Sequence, residues 1–240
     1  MKKILVIMPL YNQENYVKMA IESIVQQTHT NWELVIIDDK STDNSLQAVF
    51  EYKDHPQITI LQNDVNKGCY YTRNRGLYEF RDKDWDLFTI HDPDDMSDVR
   101  RFEKLLPQFD NENIVSVKTT YIRVDAKTNN PIYMDNGQPD IYTSEGIAIY
   151  AHKAFEINGY FDDTRFSGDT EYVFRLGAQK ELYKNMILAE DMQCLYMARQ
   201  HQTNLTLLYP INTRHEYYNS IQKNVLEMSK VDNFYKDFTP

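Results

Sequence analysis

The chain alternates unbroken apolar runs with stretches whose apolar residues recur every three or four positions. Ile4-Leu5-Val6-Ile7-Met8 is apolar throughout, the pattern of a parallel strand covered on both faces. Pro9-Leu10-Tyr11-Asn12 ends it, and Val17, Ala20, Ile21, Ile24 and Val25 then share one helical face. Trp32 to Ile37 predicts a second buried strand running into Asp38-Asp39. Ser41-Thr42-Asp43 supplies N-cap chemistry for a helix carrying Leu46, Val49 and Phe50. Ile58 to Leu61 is a third, shorter strand, and Asn66-Lys67-Gly68 turns the chain into a helix bearing Arg73, Leu77 and Phe80. Phe88, Thr89 and Ile90 suit a fourth buried strand, which Pro93 stops near His91. Strand and helix thus alternate four times with short connections. That predicts an α/β fold with a doubly wound, mostly parallel central sheet flanked by helices, and ligands outside the carboxyl ends of its strands.

The second half is less regular. A helix is expected from about Ser97 to Leu106, with Val99, Phe102 and Leu105 at helical spacing. Ile114 to Val124 is extended, Asn129-Asn130-Pro131 marks a turn, and Ile147-Ala148-Ile149-Tyr150 is another strand. A short helix ends near Asn158-Gly159, a good C-cap pair. Ser167-Gly168-Asp169-Thr170-Glu171 opens the next helix, with Tyr172, Val173 and Leu176 facing inward. Met186 to Met197 contains a further strand. A tail from Asn212 to Lys230 carries Ile221, Val225 and Met228 on one face, and docking on the domain is its default role.

Bulk properties narrow the class. At 240 residues the chain makes one domain or a little more, with room for a substantial core. A net charge of −10 argues against nucleic acid as a partner. A small phosphorylated ligand is compatible with that charge once a metal neutralises it. Cys69 and Cys194 lie far apart without ligand spacing, which fits reduced thiols in a cytoplasmic protein. The start, Met1-Lys2-Lys3 before Ile4 to Leu10, has the outline of a signal peptide. Its apolar run is too short and lacks a small-residue cleavage site, so a first strand is the reading. No segment is long and apolar enough to span a bilayer, which leaves only peripheral membrane contact.

The chemistry concentrates in His91-Asp92-Pro93-Asp94-Asp95. Three carboxylates within four residues repel one another unless a positive charge sits among them, and oxygen ligands of this kind suit Mg²⁺ or Mn²⁺. An acidic turn capping the following helix is the plainer alternative. The residues alone leave both open.

Four motifs taken in order resemble a family 2 glycosyltransferase with the GT-A fold, from Ile4 to about Thr206. The first is Met8-Pro9-Leu10-Tyr11-Asn12 with Glu14. The second joins Ser23-Ile24 and Gln26-Gln27-Thr28 to Glu33-Leu34-Val35-Ile36-Ile37-Asp38-Asp39 and Ser41-Thr42-Asp43. Asn66-Lys67-Gly68 with Arg73-Asn74-Arg75-Gly76 is the third, and Asp92-Pro93-Asp94-Asp95 is similar to the family's DxD metal motif. Two positions depart from the pattern. Lys40 stands where the family usually has glycine, and Gly168 precedes Asp169 where an acid is usual.

The resemblance implies an inverting, metal-dependent transferase. Residues 1–210 would form the domain, 1–95 holding a nucleoside-diphosphate sugar and 96–210 the acceptor, with 211–240 as a helical tail. Pro9, Tyr11, Asn12, Glu14, Asp39, Lys67, Arg73 and Asp92 are its expected donor contacts. Tyr11 would stack on the base and Asp39 would accept from a pyrimidine ring N–H, favouring uracil or thymine. Asp94 is the expected ligand of Mn²⁺ or Mg²⁺, supported by Asp92 and by His201 in Ala198-Arg199-Gln200-His201-Gln202-Thr203-Asn204. Asp169 is the expected general base, activating a hydroxyl on a glycan, a lipid-linked sugar or a similar acceptor. Two rivals remain: a non-catalytic nucleotide-sugar or carbohydrate-binding domain, and a sugar-1-phosphate nucleotidyltransferase. The second usually wants a glycine-rich basic loop after the first strand, which Pro9 to Glu14 does not provide.

Overall fold

A computed structural model describes residues 1–164, 167–179, 183–201, 219–220, 223 and 236–240. Four parallel strands, β1 (Ile4–Leu10), β2 (Trp32–Asp38), β3 (Ile58–Gln62) and β4 (Leu87–Ile90), alternate with α1 (Val17–Val25), α2 (Ser45–Phe50) and α3 (Cys69–Phe80). All seven residues of β1 are buried because both of its faces are covered. Leu5 and Ile7 join Leu77 and Phe80 of α3 on one side. Ile4, Val6 and Met8 join Ala20, Ile21 and Ile24 of α1 on the other. Pro9 lies beyond the last β1–β4 pair, Ile7↔Ile90, where its missing N–H interrupts no β1–β4 bond.

The chain then continues through β5 (Met96–Ser97), α4 (Arg101–Leu105), a 3-10 turn (Leu106–Asp110), β6 (Ile114–Asp125), β7 (Ile141–Ala151), α5 (His152–Asn158), α6 (Gly168–Ala178) and β8 (Ile187–Gln200). Among the described residues these strands complete one mixed eight-stranded sheet, ordered β3-β2-β1-β4-β7-β6-β8-β5. The half formed by β1 to β4 is parallel, as expected. β7 runs antiparallel to both β4 and β6, while β8 runs parallel to β6.

Several boundaries differ from the expected ones. The helix expected from Ser97 begins at Arg101, because Ser97 instead pairs with Tyr196 of β8. Val99 is exposed, and its carbonyl accepts the Thr28 N–H. β7 begins six residues before Ile147, since Ile141, Tyr142 and Thr143 pair with β6 while their side chains face water. Phe50 of α2 is also exposed. The expected amphipathic tail over 212–230 lies outside the described residues, apart from 219–220 and 223. The chain is nonetheless tied down after it. Lys236 exchanges backbone bonds with Asn158 and Tyr160, its ammonium pairs with Asp162 at 2.8 Å, and Phe238 packs edge-on against Tyr71.

Two buried arginines hold the second half of the chain together. Arg175 makes a two-pronged pair with Glu171, at 2.7 and 3.0 Å, and also donates to the Tyr160 carbonyl. This i,i+4 pair is structural. Arg101 donates to Ser97 Oγ and Thr89 Oγ1, each at 3.1 Å, linking α4 to β5 and β4. Burial lowers its guanidinium to about 10, so it still carries its charge at neutral pH.

Candidate active site

The carboxyl ends of the neighbouring parallel strands β1, β2 and β4 lie along one edge of the sheet, the usual ligand position in such a fold. At the end of β1, Tyr11 leaves 45% of its surface exposed. Asn12 turns the chain with φ 52°, and its Oδ1 accepts the Thr42 N–H at 2.8 Å. Glu14 Oε2 accepts from both the backbone and side-chain nitrogens of Asn44, at 2.9 and 2.8 Å. Asn12 and Glu14 therefore tie the loop after β1 to the loop after β2. Lys40, in that second loop, is exposed and adopts φ 62°, a left-handed conformation that glycine reaches without penalty. That backbone explains why glycine suits this position.

Asp39 is buried at the end of β2 and engages three donors. Its Oδ1 accepts from Asn63 Nδ2 at 2.7 Å and from Lys67 N at 2.8 Å, and its Oδ2 accepts from Gly68 N at 2.7 Å. A carboxylate offers about four lone-pair positions, so one acceptor position is left over. Gly68 has φ 95°, which lets its N–H reach Asp39 as the chain enters α3. The Lys67 side chain is exposed, with its ammonium 5.1 Å from the centre of the Tyr71 ring.

Beyond β4, the carboxylates separate by role. Asp92 Oδ1 accepts from Arg73 Nη2 at 3.0 Å, and its backbone N–H donates to Tyr196 Oη. Arg73 is 5% exposed, yet its Nε and Nη1 have no hydrogen-bond partner among the described residues. Asp94 Oδ2 lies 2.8 Å from His201 Nε2, and the His201 ring stacks on Tyr16. Asp95 accepts the Arg199 N–H at 2.8 Å, while Arg199 Nε donates to the Asp94 carbonyl at 2.9 Å. Removal from solvent raises the Asp92 and Asp95 carboxyls above the ordinary range; Arg73 opposes the rise at Asp92, and Asp94 adds to both. His91, directly before them, is driven down to about 3 by burial and by Arg101, so it is a neutral packing residue.

Asp169 stands in the first turn of α6, two residues past the N-cap Ser167. Its Oδ1 accepts a 2.8 Å hydrogen bond from the Tyr70 hydroxyl. Its charge adds to the upward shift at Asp92. A Cβ at Gly168 would lie 2.8 Å from two carbons of the Tyr70 ring, so glycine before Asp169 is a packing requirement here. Tyr70, Tyr196, Tyr16 and Arg199 belong to this site but carried no signal of their own in the sequence. Only Arg199 sat inside a motif, two residues before His201.

The chain belongs to glycosyl transferase family 2, whose family profile matches residues 5–171. Its sheet and flanking helices have the GT-A fold. It is 42% identical over 72 residues to the UDP-Glc:alpha-D-GlcNAc-diphosphoundecaprenol beta-1,3-glucosyltransferase WfgD of Escherichia coli, covering 30% of this chain and 28% of that one. The match to Staphylococcus aureus TarS in complex with UDP-GlcNAc has a TM-score of 0.70 at 19% identity, over 96% of this chain and 68% of that one. The mannosyltransferase PcManGT of Pyrobaculum calidifontis, in complex with GDP-Man and Mn²⁺, gives a TM-score of 0.67 at 15% identity, over 96% of this chain and 70% of that one. The matched segments span 36%, 28% and 25% of the first three curated relatives. Among the described residues no helix is long and apolar enough to cross a membrane.

Proposed function

We propose that this chain transfers a sugar, with inversion, from a nucleoside diphosphate to a hydroxyl of a glycan or lipid-linked acceptor. The observation that carries the donor half is Arg73. A buried guanidinium with one arm on Asp92 and two nitrogens unpartnered among the described residues is set up for a further anion, and a diphosphate fits that need. Tyr11 offers an exposed aromatic face for the base, and Asp39 keeps one acceptor position for a pyrimidine N–H, so UDP- or dTDP-sugars are the favoured donors. Residues 1–95 would supply this donor half and residues 96–210 the acceptor half.

A divalent ion fits the donor set. Among the described residues no three His, Cys, Asp or Glu groups converge at ligand spacing. Mg²⁺ and Mn²⁺ ordinarily take only one or two protein carboxylates and complete their shell with phosphate and water. Asp94 and His201 would hold the ion, with Asp92 beside them. When bound, such an ion offsets the charge that builds on the departing diphosphate.

The remaining roles fall to the chain. Arg73 keeps its charge, because Asp92 and its other neighbours raise it against burial, and it faces the same developing negative charge. Asp169 takes the acceptor proton as that oxygen attacks the anomeric carbon from the side opposite the leaving group.

The test is nucleotide release from UDP- and dTDP-sugars with Mn²⁺, in the presence and absence of glycan acceptors. Asp94→Ala should lower release at least about 100-fold while leaving the melting temperature unchanged. An unimpaired variant overturns the metal role. No release from any donor that nonetheless binds would favour the non-catalytic reading.

A further inference from the structure

We infer that Tyr70 is the positioning residue for Asp169, fixing the carboxylate's rotation through its 2.8 Å hydrogen bond. This deepens the reading of Asp169 as the base and rests on it.

Asp169 is confined from two sides. Its Oδ1 is taken by the Tyr70 hydroxyl, donated across 99 positions of sequence. Its Oδ2 lies only 2.8 Å from where a Cβ on Gly146 would stand, so β7 runs close to that edge and the missing side chain leaves Oδ2 its room. One oxygen is therefore engaged, and the other is the one left to meet an acceptor hydroxyl. Tyr70 is itself fixed. Its ring packs on Gly168, where any side chain would collide with Cδ1 and Cε1, and the Arg73 guanidinium lies 4.7 Å from its centre. Burial and the nearby Asp169 charge keep the phenol protonated well beyond its usual range, so it acts only as donor.

The result is a continuous path, Asp92–Arg73–Tyr70–Asp169, that joins the donor end of the site to the base. The other groups facing Asp169 are Cys69 from α3, Asp92 from beyond β4, and Tyr150 from β7. Of the cations, Arg73 is close, but it is already paired with Asp92. Among the described residues, the side-chain hydrogen bond that orients the Asp169 carboxylate comes from Tyr70.

The experiment follows the aspartate carboxyl carbons by ¹³C NMR at neutral pH, with the Asp169 signal assigned by its loss in Asp169→Asn. Tyr70→Phe keeps the ring on Gly168 and removes only the hydroxyl, and it should displace the Asp169 signal from its wild-type position. Gly168→Ala, which displaces the ring but keeps the hydroxyl, should displace that signal too. An unmoved signal in both variants overturns the proposal. Nucleotide release gives the second reading. Tyr70→Phe should lower it roughly tenfold to a hundredfold, and Tyr70→Phe with Asp169→Asn should be no worse than Asp169→Asn alone. Additive losses would overturn a role exerted through Asp169. If Asp169→Asn alone leaves release intact, the base assignment fails, and the displaced signal in Tyr70→Phe reports separately on the hydrogen bond.

Discussion

His201 and Asp94, 107 positions apart, meet at 2.8 Å between Nε2 and Oδ2. The contact joins the end of β8 to the turn after β4, and Arg199 fastens the same two segments through the carboxylate of Asp95 and the carbonyl of Asp94.

If both side chains serve one ion, His201→Ala should weaken the apparent Mn²⁺ affinity by roughly 10- to 100-fold and leave the rate at saturating Mn²⁺ much less affected. Asp94→Ala should not recover at any Mn²⁺ concentration. A Mn²⁺ titration of nucleotide release separates the two behaviours, and an unchanged half-saturation in His201→Ala would remove the histidine from the metal site.

Lys40 carries a side chain through φ 62° on an exposed turn. Lys40→Gly should stabilise the chain by about 1 kcal/mol, the left-handed penalty less the extra freedom glycine brings to the unfolded chain. Urea denaturation monitored by circular dichroism measures this. A loss of stability would show that the Lys40 side chain does more than occupy a turn.

The two cysteines should differ in reactivity. Burial pushes the Cys69 thiol up to about 11, outweighing the pull of Arg73, whereas Cys194 is exposed and less strongly raised. Thiolate is the reactive form, so near pH 8 a thiol reagent should label Cys194 first and reach Cys69 mainly on unfolding. Labelling followed by peptide mass mapping decides it. Early labelling of Cys69 would contradict the enclosure of α3's first turn.

The first half, β1 to β4, was legible because its physics is local. An apolar run such as Ile4 to Met8 has few readings other than a covered strand, and Pro93 announces the end of β4. The second half depends on pairings that sequence spacing does not encode. Val99, Phe102 and Leu105 sit at helical intervals, yet Ser97 was claimed by β8 and Val99 was left in water. Site residues follow the same division. Asp92, Asp94, Asp169 and His201 stood in recognisable strings, while Tyr70 acquires its place only through the absence of a side chain at Gly168. A glycine in a helix's first turn does not reveal which ring will lie against it.

Asp39 is the keystone between two loops, because one carboxylate receives the N–H groups of Lys67 and Gly68 as well as the Asn63 amide. Anyone redesigning this protein for another nucleotide would find that substitutions at 39 unfasten the entrance to α3 along with whatever the base feels. Tyr11, which is exposed at the end of β1, is where such engineering should begin.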